Sequence, residues 1–170
     1  MNKSFRFFLL AILPLTLLVS SCGIYSFSGA SIPANMKTVN VVFFENNAPI
    51  VVPTLSQKFT EALKARIRNQ SSLNVVREDA DATFEGRITD YSTKPVAITG
   101  NERSEATRLT ITVNVKYTNK LKPEDSFEQS FSRFSDFQGS NIAANEPKLI
   151  EDINRQLTED IFNRAFANWN

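Results

Sequence analysis

RLTITVNVKYT, residues 108–118, alternates without a break. Leu109, Ile111, Val113, Val115 and Tyr117 fall on one side of an extended chain. Thr110, Thr112, Asn114, Lys116 and Thr118 fall on the other. Period-two alternation of this kind predicts a strand with one face in a core and the other in water. Upstream, Ala82 to Tyr91 alternates in the same way. Phe84, Gly86 and Ile88 point one way, and Thr83, Glu85, Arg87, Thr89 and Tyr91 the other. Downstream, Ser126 to Phe137 reads as a further strand. Its apolar positions run Phe127, Phe131, then Phe134 and Phe137, and the change from even to odd spacing near Arg133 predicts a bulge or the strand's end there.

Helices flank this β-rich centre. From about Thr54 to Asn69, Leu55, Phe59, Leu63 and Ile67 recur every four residues, with Ala62 in the same stripe. Thr54 and Gln57 fit a capping box, with Pro53 ahead of them. Lys58, Lys64, Arg66 and Arg68 make this helix basic, which suits its C-terminal dipole and solubility. A second helix is expected from about Pro147 to Asn168. Leu149, Ile150, Ile153, Leu157, Ile161, Phe162, Ala165, Phe166 and Trp169 form its wide apolar stripe. Ahead of the first helix, Thr38 to Phe44 (TVNVVFF) reads as a strand buried on both sides, ending in a turn cluster at residues 45–49. Leu73 to Val76 is a short extended run. The order β-α-β-β-β-α predicts an α+β fold, a two-layer sandwich. Two helices would pack on one face of a four-stranded, mostly antiparallel sheet, with the first β-α-β unit a right-handed crossover. The uncovered face is Thr-rich and polar.

The N-terminus speaks to compartment. Lys3 and Arg6 precede an apolar stretch from Phe7 to Val19, the length of a signal-peptide core and short of the about 20 residues that a membrane span needs. Val19-Ser20-Ser21-Cys22 resembles a bacterial lipobox, and Cys22 is the chain's one cysteine. Small residues admit the peptidase, and the thiol takes the diacylglycerol. Cleavage frees an amine for a further acyl chain, and two or more chains give stable anchoring. The expected organisation is a signal peptide over 1–21, a lipidated tether over 22–36 and a single domain over 37–170. Gly23 after the cysteine favours the outer membrane.

Composition removes much chemistry. The 170 residues carry 19 Lys+Arg, 18 Asp+Glu and no His. Near-neutral charge argues against a nucleic-acid binder. Without His there are no His triads or His-based metal sites, and one Cys permits neither a disulfide framework nor a Cys-rich zinc site. No GxGxxG, P-loop or GxSxG is present. Glu78, Asp79, Asp81 and Glu85 read as a solvated acidic turn. The expectation is a protein that is not an enzyme and holds no metal, with no cofactor beyond the covalent diacylglycerol and acyl chain on Cys22.

Several segments resemble the LptE family of lipopolysaccharide-assembly lipoproteins. They are the Cys22-Gly23-Ile24-Tyr25-Ser26-Phe27-Ser28-Gly29 start, the Val39-Asn40-Val41-Val42-Phe43-Phe44-Glu45-Asn46 strand, and the Ala80-Asp81-Ala82-Thr83-Phe84-Glu85-Gly86-Arg87-Ile88 segment. The long Thr-alternating strand and the closing helix match in layout. This resemblance implies a lipid-anchored protein on the periplasmic face of the outer membrane of a Gram-negative bacterium. It implies a plug in a large β-barrel partner, LptD-like, that assists barrel assembly and helps deliver lipopolysaccharide to the outer leaflet. It also implies lipopolysaccharide binding through basic residues. The candidates here are Arg103 and Arg108 around one loop and Lys120 and Lys122 in the next, each suited to a phosphate or carboxylate. The alternative is a periplasmic adaptor lipoprotein that activates another envelope enzyme, such as a peptidoglycan synthase. The tether of about 14 residues, roughly 45 Å at full stretch, favours a partner at the same membrane.

Overall fold

The computed structural model describes residues 32–97, 105–139 and 141–167. The elements are β1 (Thr38–Val41), β2 (Glu45–Asn46), α1 (Leu55–Gln70), β3 (Asn74–Val76), β4 (Ala82–Ala97), β5 (Glu105–Asn119), a 3-10 turn at Pro123–Asp125, β6 (Phe127–Gln138) and α2 (Glu146–Phe166). The fold is α+β, with six strands in the sheet rather than the four expected. The order is β3-β1-β4-β5-β6, and β2 lies in line with β1 along the same side of β4. β4, β5 and β6 form an antiparallel meander, while β1–β3, β1–β4 and β2–β4 are parallel.

The extra strands come from a break in the TVNVVFF run. Pairing stops at Val41, and Val42 and Phe43 turn outward, 41% and 55% exposed. Phe44 then returns to the core, fully buried. Its N–H leaves the ladder and donates to Thr60 Oγ1 of α1 at 3.1 Å. Pairing resumes at Glu45–Asn46, inside the stretch expected to be a turn. A side chain on a helix therefore supplies the acceptor that the sheet does not.

Two parity readings are corrected. A register shift between Ile88 and Asp90 brings Tyr91 to the core face, 4% exposed, where continuous alternation would turn it outward. Conversely, β6 pairs with β5 without interruption from Phe127 to Gln138, so Arg133 marks no bulge. Phe131 and Phe137 are buried on the core face, whereas Phe134 stands on the opposite face, 48% exposed. The spacing change was an aromatic on the solvent side.

One hydrophobic cluster joins Val39 and Val41, Phe84 and Ile88, and the odd residues of β5 from Leu109 to Tyr117 with both helices. α1 packs on β1, β2 and β3, α2 on β5 and β6, and the helices on each other. The apolar stripes contribute Leu55, Phe59, Leu63 and Ile67 from α1, and Ile153, Leu157 and Ile161 from α2, all fully buried. Each such side chain contributes about 1.5–3 kcal/mol by leaving water. α1 begins one residue later than expected, and Thr54 makes no side-chain capping bond. Trp169 lies outside the described residues, while Ile32 and Met36, ahead of β1, pack on the core.

Two polar anchors fix β1 and the edge of the core. Asp81 Oδ2 accepts from the N–H groups of Lys37 and Thr38 at 2.8 and 2.9 Å and from Thr38 Oγ1 at 3.0 Å. Asp81 N–H donates back to Thr38 Oγ1 at 3.0 Å. These donors hold the Asp81 carboxyl below the usual carboxylate range. One member of the expected acidic turn is thus a clasp between β1 and the start of β4. Tyr91 donates its hydroxyl to Glu146 Oε1 at 2.5 Å, tying β4 to the first turn of α2. Burial, then the Glu146 carboxylate, pushes the phenol's pKa up.

Candidate functional site

Both helices cover the core face, which leaves the other face of β4, β5 and β6 open. The cross-strand register assembles that face row by row. Lys94, Arg108 and Asp136 form one row, followed by Ser92, Thr110 and Phe134, then Asp90, Thr112 and Ser132. Arg87, Asn114 and Ser130 come next, then Glu85, Lys116 and Glu128. The charged members are four cations and four anions, so the face is polar and electrically balanced. Its contacts are internal. Lys116 Nζ pairs with Glu85 at 2.8 Å, and Thr112 Oγ1 donates to Ser132 Oγ at 3.0 Å.

Arg108 sits in the end row and is fully engaged. Its Nε and Nη2 donate to the two carboxylate oxygens of Asp136 at 2.7 and 2.8 Å. Its guanidinium lies 3.7 Å from the centre of the Phe134 ring. The bidentate bond raises the Arg108 pKa and lowers that of Asp136. The pair stacks on the ring, which explains an exposed phenylalanine at this position. Nothing in residue spacing announces the Arg108–Asp136–Phe134 cluster. It depends on the register of two strands.

The other basic candidates do not join it. Lys120 and Lys122 lie beyond the opposite end of β5, roughly 40 Å away along the strand. Lys122 Nζ is paired with Asp125 at 3.0 Å. Lys120 is exposed and takes part in no ion pair among the described residues. Arg103 and Cys22 lie outside the described residues. The structure therefore shows no single patch made of Arg108, Lys120 and Lys122.

A second surface lies on the helices. A groove of about 1040 Å³ runs between α1 and α2 and is lined by Ala62, Ala65, Arg66, Asn154 and Arg155 among others. Arg66 donates to the Arg155 carbonyl at 2.8 Å across it. Among the described residues no group of three or more His, Cys, Asp or Glu is placed to hold a metal ion. No helix of the described residues is long and apolar enough to cross a membrane.

The described residues thus form a sheet with one polar face left bare and two helices packed against the other. The LptE family profile, described as lipopolysaccharide-assembly, matches residues 36–165, and the chain belongs to that family. Among curated proteins no sequence matches it. A solved structure from Xanthomonas campestris shares the fold, at 11% identity over 78% of this chain and 88% of that one, with a TM-score of 0.50. A hypothetical protein from Chlamydia trachomatis aligns at 10% identity over 78% and 99% of the two chains, TM-score 0.49. A minor lipoprotein from Acinetobacter baumannii aligns at 13% identity over 81% and 99%, TM-score 0.42.

Proposed function

We propose that this protein is a non-enzymatic lipoprotein of the outer membrane, anchored through acylated Cys22. It seats its open sheet face in the lumen of a large LptD-like β-barrel, assists the assembly of that barrel and helps pass lipopolysaccharide to the outer leaflet. The observation that carries the reading is the polar, charge-balanced face of β4–β6, which neither helix covers. The lumen of an outer-membrane barrel is itself polar. A surface of hydroxyls, amides and paired charges can exchange water for lumen side chains without burying an unmatched charge. Membership in the lipopolysaccharide-assembly family supports the same reading.

The test is affinity purification of the tagged, lipidated chain from detergent-solubilised membranes, with the co-purifying proteins identified. A large β-barrel recovered in stoichiometric amount and resistant to high salt is expected. Replacing Thr110 and Asn114 by Arg, in the middle of the open face, should abolish that recovery while leaving thermal unfolding nearly unchanged. Recovery of a peptidoglycan synthase instead would overturn the barrel reading in favour of an adaptor role.

A further inference from the structure

We propose that the β1–β2 edge of the sheet is a membrane-contact surface, whose exposed apolar loops dip into the bilayer beside the lipid anchor. Six large hydrophobic side chains stand exposed among the described residues, and four of them flank β2. Val42 and Phe43 lie between β1 and β2; Ile50 and Val51, 53% and 61% exposed, lie between β2 and α1. The inference rests on the reading of Cys22 as the anchor and not on what the open sheet face binds.

The core does not use these four side chains. Val42 and Phe43 stand between Val41 and Phe44, both buried. Ile50 and Val51 stand between buried Ala48 and Val52, which packs on the core. Asn46 folds this second loop back on β2. Its Oδ1 accepts from the Ala48 N–H at 3.0 Å, and its Nδ2 donates to the Val52 carbonyl at 3.5 Å. From Val42 to Gln57 the chain carries one charged residue, Glu45, which stands beside Arg87 of β4 in register. Apolar side chains on nearly uncharged loops suit the boundary between headgroups and acyl chains. The exposed area argues for lipid over a protein partner. At about half exposure each, the four side chains show roughly 200–400 Å², short of the about 800 Å² that each partner gives to a stable protein interface. Chain length permits the contact. The ten residue steps from Cys22 to Ile32 reach at most about 36 Å. The eleven steps from Ile32 to Phe43 reach at most about 40 Å. A turn in which the Met36 N–H donates to the Pro33 carbonyl at 2.9 Å shortens that second path to about the reach of the first. The anchor and Phe43 can therefore enter the same bilayer.

The test uses the full lipidated chain in vesicles of phosphatidylethanolamine and phosphatidylglycerol. Acylation consumes the Cys22 thiol, the chain's one cysteine, so Phe43→Cys, Ile50→Cys and Gln129→Cys each carry a single free thiol for a nitroxide spin label. Gln129 is exposed on β6, at the opposite edge of the sheet, and serves as the control. Flotation of the vesicles reports the anchor. Relaxation of the label by oxygen, which concentrates in lipid, and by a water-soluble nickel chelate reports the contact. Labels at positions 43 and 50 are expected to favour oxygen and lose access to the chelate, while the label at 129 stays open to the chelate. Adding Ile50→Asp and Val51→Asp to Phe43→Cys should return its label to water, with flotation and far-UV circular dichroism unchanged. A chain that floats while labels 43 and 50 match label 129 would overturn the inference and leave the anchor standing. A chain that does not float would overturn both. Labels at 43 and 50 closed to oxygen and chelate alike would also overturn it, and would assign the edge to a second copy or a co-purifying protein.

Discussion

Gly86 is a position where a single added methyl group should do severe damage. It lies in β4 opposite Val115, and the Phe44 ring passes over it. A Cβ built there falls 2.1 Å from the Asn114 carbonyl oxygen and 2.7 Å from Phe44 Cε1. Carbon and oxygen do not approach within 3.0 Å, so β4 and β5 would have to separate by about 1 Å at the centre of the longest ladder in the sheet. The Phe44 ring would also have to leave its edge contact with Phe59, now 5.0 Å between centroids. Overpacking of this kind costs about 1–3 kcal/mol and more when backbone must move. The entropy gained by replacing glycine returns about 0.4–1 kcal/mol. A net loss of about 2–3 kcal/mol for Gly86→Ala is expected, a large share of the roughly 5–15 kcal/mol that holds a domain together. In a domain of this size that lowers the melting temperature by about 10 °C. Thermal and urea unfolding, followed by circular dichroism, measure it. Adding Phe44→Leu should recover only part of the loss, because the carbonyl contact remains. A Gly86→Ala protein that melts with the wild type, or complete recovery in the double variant, would refute the packing argument.

Other consequences are equally direct. Thr60→Val removes the acceptor for the Phe44 N–H at nearly constant volume and should cost about 1–3 kcal/mol in urea unfolding; an unchanged midpoint would show that Phe44 finds another partner. Tyr117→Phe should leave stability nearly unchanged or raise it, since the Tyr117 hydroxyl is buried without a hydrogen bond of good geometry, the Asn119 side chain being its near neighbour; burial, then Asp125, raises its pKa, and Asn119 opposes them. A clear loss in the same assay would reveal a partner for that oxygen. Asp81 has a folded pKa below its unfolded value, so its contribution is present above the unfolded pKa, near 3.9, and is lost as pH falls through the lower folded value. Asp81→Asn should lower the melting temperature at neutral pH and flatten its fall in acid; a profile running parallel to the wild type would show that the clasp does not respond to pH.

The features legible from sequence were those set by repetition. The alternation of residues 108–118 placed the central strand and its buried face, and the four-residue spacing of Leu55, Phe59, Leu63 and Ile67 placed α1. The hidden features depend on one-residue irregularities. Val42 and Phe43 loop outward because Phe44 is caught by Thr60, a contact spanning 16 positions that no periodicity records. The shift at Ile88/Asp90 moves Tyr91 to the core, and a pattern of alternating letters does not show where a bulge falls. Phe134 imitated a bulge because an exposed aromatic breaks the same pattern. The basic candidates stand near loops in the sequence, and strand length separates them. Arg108 and Lys120 look close in sequence only because an extended chain travels so far per residue.

The place of β1 has a kinetic meaning. It is the first strand among the described residues, yet it lies between β3 and β4, both of which come later. The β4–β5–β6 meander pairs strands that are consecutive in sequence, and contacts close in sequence form fastest. β1 has a strand to pair with once β4 stands in the meander, the Asp81 clasp then holds it there, and β3, which pairs with β1 alone, can add to the sheet only afterwards. The strand nearest the proposed lipid anchor is therefore expected to zip in after the meander and to carry β3 with it.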